Sequence, residues 1–147
     1  MTTGARSSFA NEEYTVGWIC ALSVELAAAK GMMDEIHAEP QTPPGEADNN
    51  SYVLGSIGKF KVVAARLPMH QLGSSSATAV AREMLFTFPK IRVGLLVGIG
   101  AGIPDYDNDV DIRLGDVVIA PAPRLGALSS MTSAKRLRMD RLRVFHS

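Results

Sequence analysis

The chain has 147 residues, of which 46% are hydrophobic and 20% charged, with one cysteine and a formal net charge of +0. This composition suits one domain with a sizeable core; it excludes disorder throughout, an internal disulfide and a cysteine-built zinc site. The neutrality hides an asymmetry, because residues 1–123 carry 9 Lys and Arg against 14 Asp and Glu, a balance of −5, whereas residues 124–147 carry 6 against 1, a balance of +5.

The opening MTTGARSSFANEEY has no apolar stretch of the signal-peptide kind, and no run approaches the roughly 18 apolar residues of a membrane span. An intracellular, cytoplasmic protein with no membrane partner is expected. Residues 1–13 are small and polar and read as a disordered leader. Between Tyr14 and Leu22, the side chains of Val16, Trp18, Ile19, Cys20, Ala21 and Leu22 leave almost no polar face. That predicts a strand buried on both sides, as in a parallel sheet, with Cys20 as a small core residue. Ser23 offers an N-cap hydroxyl to a helix predicted from Val24 to about His37, in which Gly31 costs about 1 kcal/mol relative to alanine.

Residues 38–50, AEPQTPPGEADNN, combine prolines with polar residues and read as a solvated loop. Ser51–Ile57 and Lys61–Leu67 then predict a hairpin around Gly58 and Lys59, ended by Pro68. Ser74–Phe88 has helical period, with Ala77, Val80, Ala81, Met84, Leu85 and Phe88 on one side, and Pro89 stops it. From Val93 to Ile119 come an apolar strand, a glycine turn, an acidic excursion and a second apolar strand introduced by Arg113-Leu114-Gly115-Asp116. Two apolar strands joined in this way read as the middle of a sheet. The order β-α-β-β-α-β-loop-β predicts an α/β fold with a central mixed sheet flanked by helices.

Three phrases carry a family resemblance: Val16-Gly17-Trp18-Ile19-Cys20-Ala21-Leu22 followed by Glu25; Val97-Gly98-Ile99-Gly100-Ala101-Gly102-Ile103-Pro104; and Ile112-Arg113-Leu114-Gly115-Asp116-Val117-Val118. Together they resemble the nucleoside phosphorylase family of purine nucleoside and uridine phosphorylases and hydrolytic nucleosidases. The wording is nearest to fungal versions, which often precede nucleotide-binding or repeat regions in larger proteins. The resemblance covers residues 14–123 and implies a partial domain, its first half. The ribose-gripping and base-stabilising residues of the family come from the second half. Implied is cleavage of the N-glycosidic bond of a nucleoside or nucleotide, with phosphate as a co-substrate if the attack is not by water. No cofactor is implied, and family members commonly form homo-oligomers.

Glycines at 98, 100 and 102, with Ala101 between, remove side chains and permit positive φ, so backbone N–H groups can approach a sugar or an anion. The same small residues would also let the loop pack against the sheet. Pro104 and the acidic run behind it spoil the helix that a dinucleotide fingerprint needs. Glu25 falls in the first turn of the first helix, where the dipole favours its ionised form, suited either to water activation or simply to helix stability. In the hydrolytic nucleosidases a glutamate at the matching place orients water, whereas many phosphorylases carry a phosphate-binding arginine close by. That turn has no arginine here, which favours hydrolysis. Ser74 opens the second helix and suits a phosphate or sugar oxygen as well as plain capping, with His70 close by in sequence.

The alternating Asp105, Asp107, Asp109 and Asp111 lack the glycine of a calcium loop, since Val110 stands at the sixth position. A solvated acidic loop is the reading, with Arg113 paired to one of its carboxylates. Residues 124–147 form a basic, divergent tail without strand alternation or a recognisable nucleic-acid-binding module. The functional alternatives are an N-glycosidic bond-cleaving domain and a catalytically incomplete sensing or interaction module, or a truncated piece of a larger protein.

Overall fold

The all-apolar run that begins at Val16 becomes an interior strand of a sheet because it can be buried on both faces. In the computed structural model, β1 (Val16–Cys20) pairs in parallel with β4 (Phe60–Arg66) on one side and with β5 (Val93–Leu96) on the other. The structure describes residues 6–41, 48–69, 73–104, 107, 111–119 and 143–145. The chain divides into two units, Met1–Ile99 and Gly100–Ser147.

In the first unit, β2 (Glu35–Ile36) and β3 (Tyr52–Ile57) extend the sheet in antiparallel fashion beyond β4, giving the order β2-β3-β4-β1-β5. Strand alternation then sorts the core into two layers. On one face, α2 (Ser74–Thr87) brings Val80 and Met84, followed by Phe88, against Ile19, Val63 and Ala65. On the other, Leu26 of α1 (Ser23–Gly31) packs with Trp18, Val62 and Ala64. The fold is therefore α/β, with a five-stranded mixed sheet between two helices, as the sequence pattern predicts. Cys20 is buried in it, and burial pushes its thiol pKa up, as befits an unreactive core residue. The β3–β4 hairpin turns at Gly58 and Lys59; Gly58 has φ 54°, and its N–H donates to Asp34 at 2.6 Å.

Three expectations are corrected here. The first helix ends at Gly31, not near His37. Beyond it the backbone turns outward to the sheet, where Asp34 N–H donates to Ser56 O and His37 N–H to Leu54 O, each at 2.9 Å. Residues 6–13, read as part of a disordered leader, instead form an ordered strap with a 3-10 turn at Asn11–Glu13. Its anchors are Phe9, packed at a tilt of 53° against His37 with ring centroids 4.5 Å apart, the Asn11 amide donating to Thr87 O at 3.2 Å, and Glu13 paired with Lys61 at 2.8 Å. Composition alone hides such a strap because its few large side chains are spread among small polar ones.

The third correction concerns Val93–Ile119. β5 forms the edge of the sheet rather than its middle. β6 (Val117–Ile119) lies in the second unit, paired antiparallel with β7 (Arg143–Phe145). Apolar runs identify strands but not their neighbours. Part of the basic tail is thus a strand, whereas residues 120–142 lie outside the described set. Before β6, Arg113 N–H donates to Asp116 at 2.7 Å, Gly115 takes φ 98°, and the Arg113 side chain pairs with Asp111. The expected surface ion pair of the acidic loop is therefore present; Asp105 and Asp109 lie outside the described residues.

His37 is buried and hydrogen-bonded through Nδ1 to the Tyr14 hydroxyl at 3.0 Å. Burial lowers its pKa from 6.5, opposed by nearby Glu35 and Glu13 and reinforced by Lys61. The unfolded chain therefore binds this proton more readily, so the contribution of neutral His37 is present above about pH 6.5 and is lost as pH falls below it. Denaturant titrations at pH 7 and pH 5 should show the wild type losing stability on acidification, with a smaller loss in His37→Phe. An equal loss in both would place the acid sensitivity elsewhere.

Candidate functional site

The parallel strands fix where a site can form. Because Cys20 stands beside Arg66 and Ile19 beside Leu96, the chain leaves β4, β1 and β5 at the same end of the sheet. α1 and α2 go to opposite faces. The carboxyl end of an open α/β sheet, where its connections diverge, is the favoured place for ligands.

Glu25 is placed there by local backbone chemistry. The N-cap of α1 is Leu22, not Ser23, and no side-chain oxygen of the N-cap residue serves the first turn. Glu25, at the third helical position, reaches back instead: its Oε2 accepts the N–H groups of Ala21 and Leu22, each at 2.9 Å. Half of a capping box is therefore present, since a leucine cannot reciprocate. The other oxygen reaches across to the segment leaving β5, accepting Ile99 N–H at 2.8 Å. Glu25 is 8% exposed. The Ile99 N–H above all, with those of Leu22 and Ala21, holds its carboxyl pKa below the ordinary 4.5 although burial pulls the other way.

The glycines of the turn do different things. A Cβ on Gly98 would stand 2.8 Å from Glu25 Oε1, so this glycine makes room for the carboxylate. A Cβ on Gly102 would stand 2.5 Å from the Ile112 side chain, within the second unit, while one on Gly100 would meet nothing within 4 Å. None of the three has positive φ. The need for glycine at positions 98 and 102 is close approach, not left-handed backbone, which corrects that part of the sequence reading. Gly100, Ala101 and Gly102 are exposed and belong to the second unit.

Ser74 begins α2 behind an N-cap that is Gly73, with φ 124°. His70 lies outside the described residues. The structure therefore brings together Glu25, Gly98 and Ile99 and places Ser74 at the start of the helix that follows β4.

Sequence reasoning missed the backbone donors at Ala21, Leu22 and Ile99, although a glutamate at a third helical position is a readable signal for the first two. It also missed Arg66. Arg66 ends β4 beside Cys20, is half-buried, and donates to Leu67 O at 3.4 Å. Among the described residues no carboxylate forms an ion pair with it. A search confined to the turn after β1 cannot find an arginine that register alone brings alongside.

A separate recess of about 310 Å³ is lined by Asn49, Asn50, Pro68, Ser76, Ala79, Val80 and Glu83 and includes neither Glu25 nor Gly98. Its wall is an internal polar network in which Asp48 accepts from the Tyr52 hydroxyl at 2.7 Å and from Asn50 N–H at 3.0 Å. These groups satisfy one another, so the recess reads as a joint between the loop and α2. Among the described residues, no helix is long and apolar enough to cross a membrane.

No family model matches the chain, and no solved structure matches it. It is 45% identical over 132 residues to a nucleotide-binding leucine-rich repeat (NLR)-like protein of Hyaloscypha variabilis, a match that covers 89% of this chain and 13% of that protein. The chain thus spans about 13% of the length of the relative it matches.

Two substitutions separate close approach from mere glycine content. Gly98→Ala drives a methyl group into the carboxylate and should cost about 1–3 kcal/mol by breaking its hydrogen bonding, whereas Gly100→Ala should stay within about 0.5 kcal/mol. Equilibrium denaturation gives both values, and equal effects would remove the special role of Gly98. The Glu25 tie should itself weaken on acidification. Its depressed pKa means that its contribution is complete above the unfolded-state value near 4.5 and is lost as pH falls below it.

Proposed function

We propose that this chain is part of a nucleoside phosphorylase-like domain within an NLR-like protein, and that the domain cleaves the N-glycosidic bond of a nucleoside or nucleotide. One observation carries the reading: an ionised carboxylate, Glu25, held at the carboxyl end of parallel strands and bonded to the glycine turn that follows β5. Support also comes from the three phrases that resemble the family and from the similarity to a segment of a fungal NLR-like protein.

The three N–H bonds decide what kind of chemistry suits Glu25. A carboxylate has about four acceptor positions, so one remains on Oε1 after Ile99 is served. A lowered pKa makes it a poor proton acceptor but a steady hydrogen-bond acceptor and a fixed negative charge. In hydrolysis the bond between the sugar C1′ and the base nitrogen breaks with its electron pair passing to the base, leaving an oxocarbenium-like sugar. Glu25 stabilises that positive charge and orients a water, which donates one O–H to Oε1 while its oxygen attacks C1′. The water proton ends on the departing base or in solvent. In phosphorolysis phosphate replaces the water, and Arg66 is the described cation at the end of β4 suited to hold it.

A second reading is favoured by the match to only a small part of the relative: a sensing or interaction module that binds such a ligand without turning it over. Incubating the purified chain with nucleosides and nucleotides, with and without phosphate, and measuring free base separates the readings. Release without phosphate that falls at least about a hundredfold in Glu25→Gln, with the fold intact by circular dichroism, supports hydrolysis. Release that requires phosphate and falls in Arg66→Ala supports phosphorolysis. No release under any condition, with ligand binding retained by calorimetry, supports the module.

A further inference from the structure

The strap at residues 6–13 docks where β1 begins, whereas Glu25 follows the end of that strand. Much of its hold is on residues 35–38. The Ser7 hydroxyl donates to Glu35, Ala38 N–H donates to Ser7 O at 2.8 Å, and the Phe9 ring packs against His37 with centroids 4.5 Å apart. The Lys61 ammonium lies 4.1 Å from the centroid of the same Phe9 ring and pairs with Glu13. His37 is 3% exposed, and its Nδ1 is 3.0 Å from the hydroxyl of Tyr14, which is 0% exposed. A titratable ring thus lies beneath the strap.

We propose that this joint is an acid-opened latch: a proton taken up by His37 undocks residues 6–13 while the five-stranded sheet stays folded. The hydrogen bond supplies the first reason. In neutral His37 with its hydrogen on Nε2, Nδ1 accepts from the Tyr14 O–H. A proton on Nδ1 makes that nitrogen a donor, so the bond reverses and the tyrosine O–H loses its acceptor inside a buried site. Burial pushes the Tyr14 pKa up to about 12, so the hydroxyl does not escape by ionising.

Charge supplies the second reason. An imidazolium there is a buried cation, and it shares the Phe9 ring with the Lys61 ammonium. Burial lowers the His37 pKa from 6.5; Glu35 beside it and Glu13 on the strap favour the charged form, and Lys61 on β4 disfavours it. With the docked value below the released one, the latch is held above about pH 6.5 and loosens as pH falls below it. The strap yields rather than the sheet, because residues 6–13 belong to no strand whereas β1 is paired on both sides. The latch is independent of any reaction at Glu25.

Hydrogen exchange of the whole chain at pH 7.5 and pH 5.5, read residue by residue by NMR and corrected for the chemical rate at each pH, tests it. Ala38 N–H is freed when Ser7 O leaves. It should exchange about five- to tenfold faster at pH 5.5, about tenfold being the ceiling one pH unit below the released value. At both pH values it should exchange at least about tenfold faster than the amides of Val63 and Ala64, which are 0% exposed within β4 and open with the sheet. His37→Phe keeps a ring under Phe9 and should remove the acceleration. Tyr14→Phe, in which Nδ1 has no donor to lose, should reduce it to about half or less. Equal Ala38 protection at the two pH values overturns the proposal. So does an Ala38 rate equal to that of Val63, which makes the opening global, or an acceleration of wild-type size in either folded variant.

Discussion

Three backbone N–H groups from two separated segments converge on one carboxylate, and the carboxyl end of the parallel strands depends on that convergence. Ala21 and Leu22 belong to the start of α1, and Ile99 to the chain leaving β5. None of these donors has a helical or sheet partner of its own at that point, so Glu25 completes the hydrogen bonding of a helix entrance and a strand exit at once. A backbone donor left unpaired there would cost about 1–3 kcal/mol. The demand explains why the carboxylate is ionised, why Gly98 lacks a side chain, and why the glycine turn begins where it does.

This geometry also limits the chemistry. A carboxylate that already accepts three hydrogen bonds has been made a weaker base in exchange for being fixed in place. It suits the stabilisation of positive charge in an oxocarbenium-like sugar better than the removal of a proton from water. Preorganised charge of this sort costs nothing to rearrange as a reaction proceeds. The same fixed charge is useful to a domain that only holds its ligand, so the carboxylate serves either functional reading.

Period and composition made the architecture legible in part. The buried strand at Val16–Cys20, the hairpin at Gly58 and Lys59, and the second helix with its stop at Pro89 follow from apolar patterning and turn chemistry. Strand neighbours did not follow. Nothing local says that Val93 lies beside Val16 while Val117 pairs with Phe145. The strap at residues 6–13 escaped for a related reason, since its Phe9 and Asn11 gain their partners only from His37 and Thr87, distant in the chain. At the site, Glu25 and Gly98 were readable as residue types. Their contact was not, because it joins positions 73 residues apart. Arg66 became relevant only through its register with Cys20.

The order of strands in the sheet has a consequence for how the chain comes together. β3 and β4 are joined by a tight turn and can close upon each other locally. β1, first in sequence, must wait: Val16 meets Val62 only after 46 residues and Val93 only after 77. Loop-closure entropy opposes such distant pairings before burial rewards them, so the hairpin is the natural first structure and β1 is inserted late. The interior strand flanked by both parallel neighbours is thus the first of the sheet in sequence and among the last to find its place. Its apolar surface stays open until β5 has emerged.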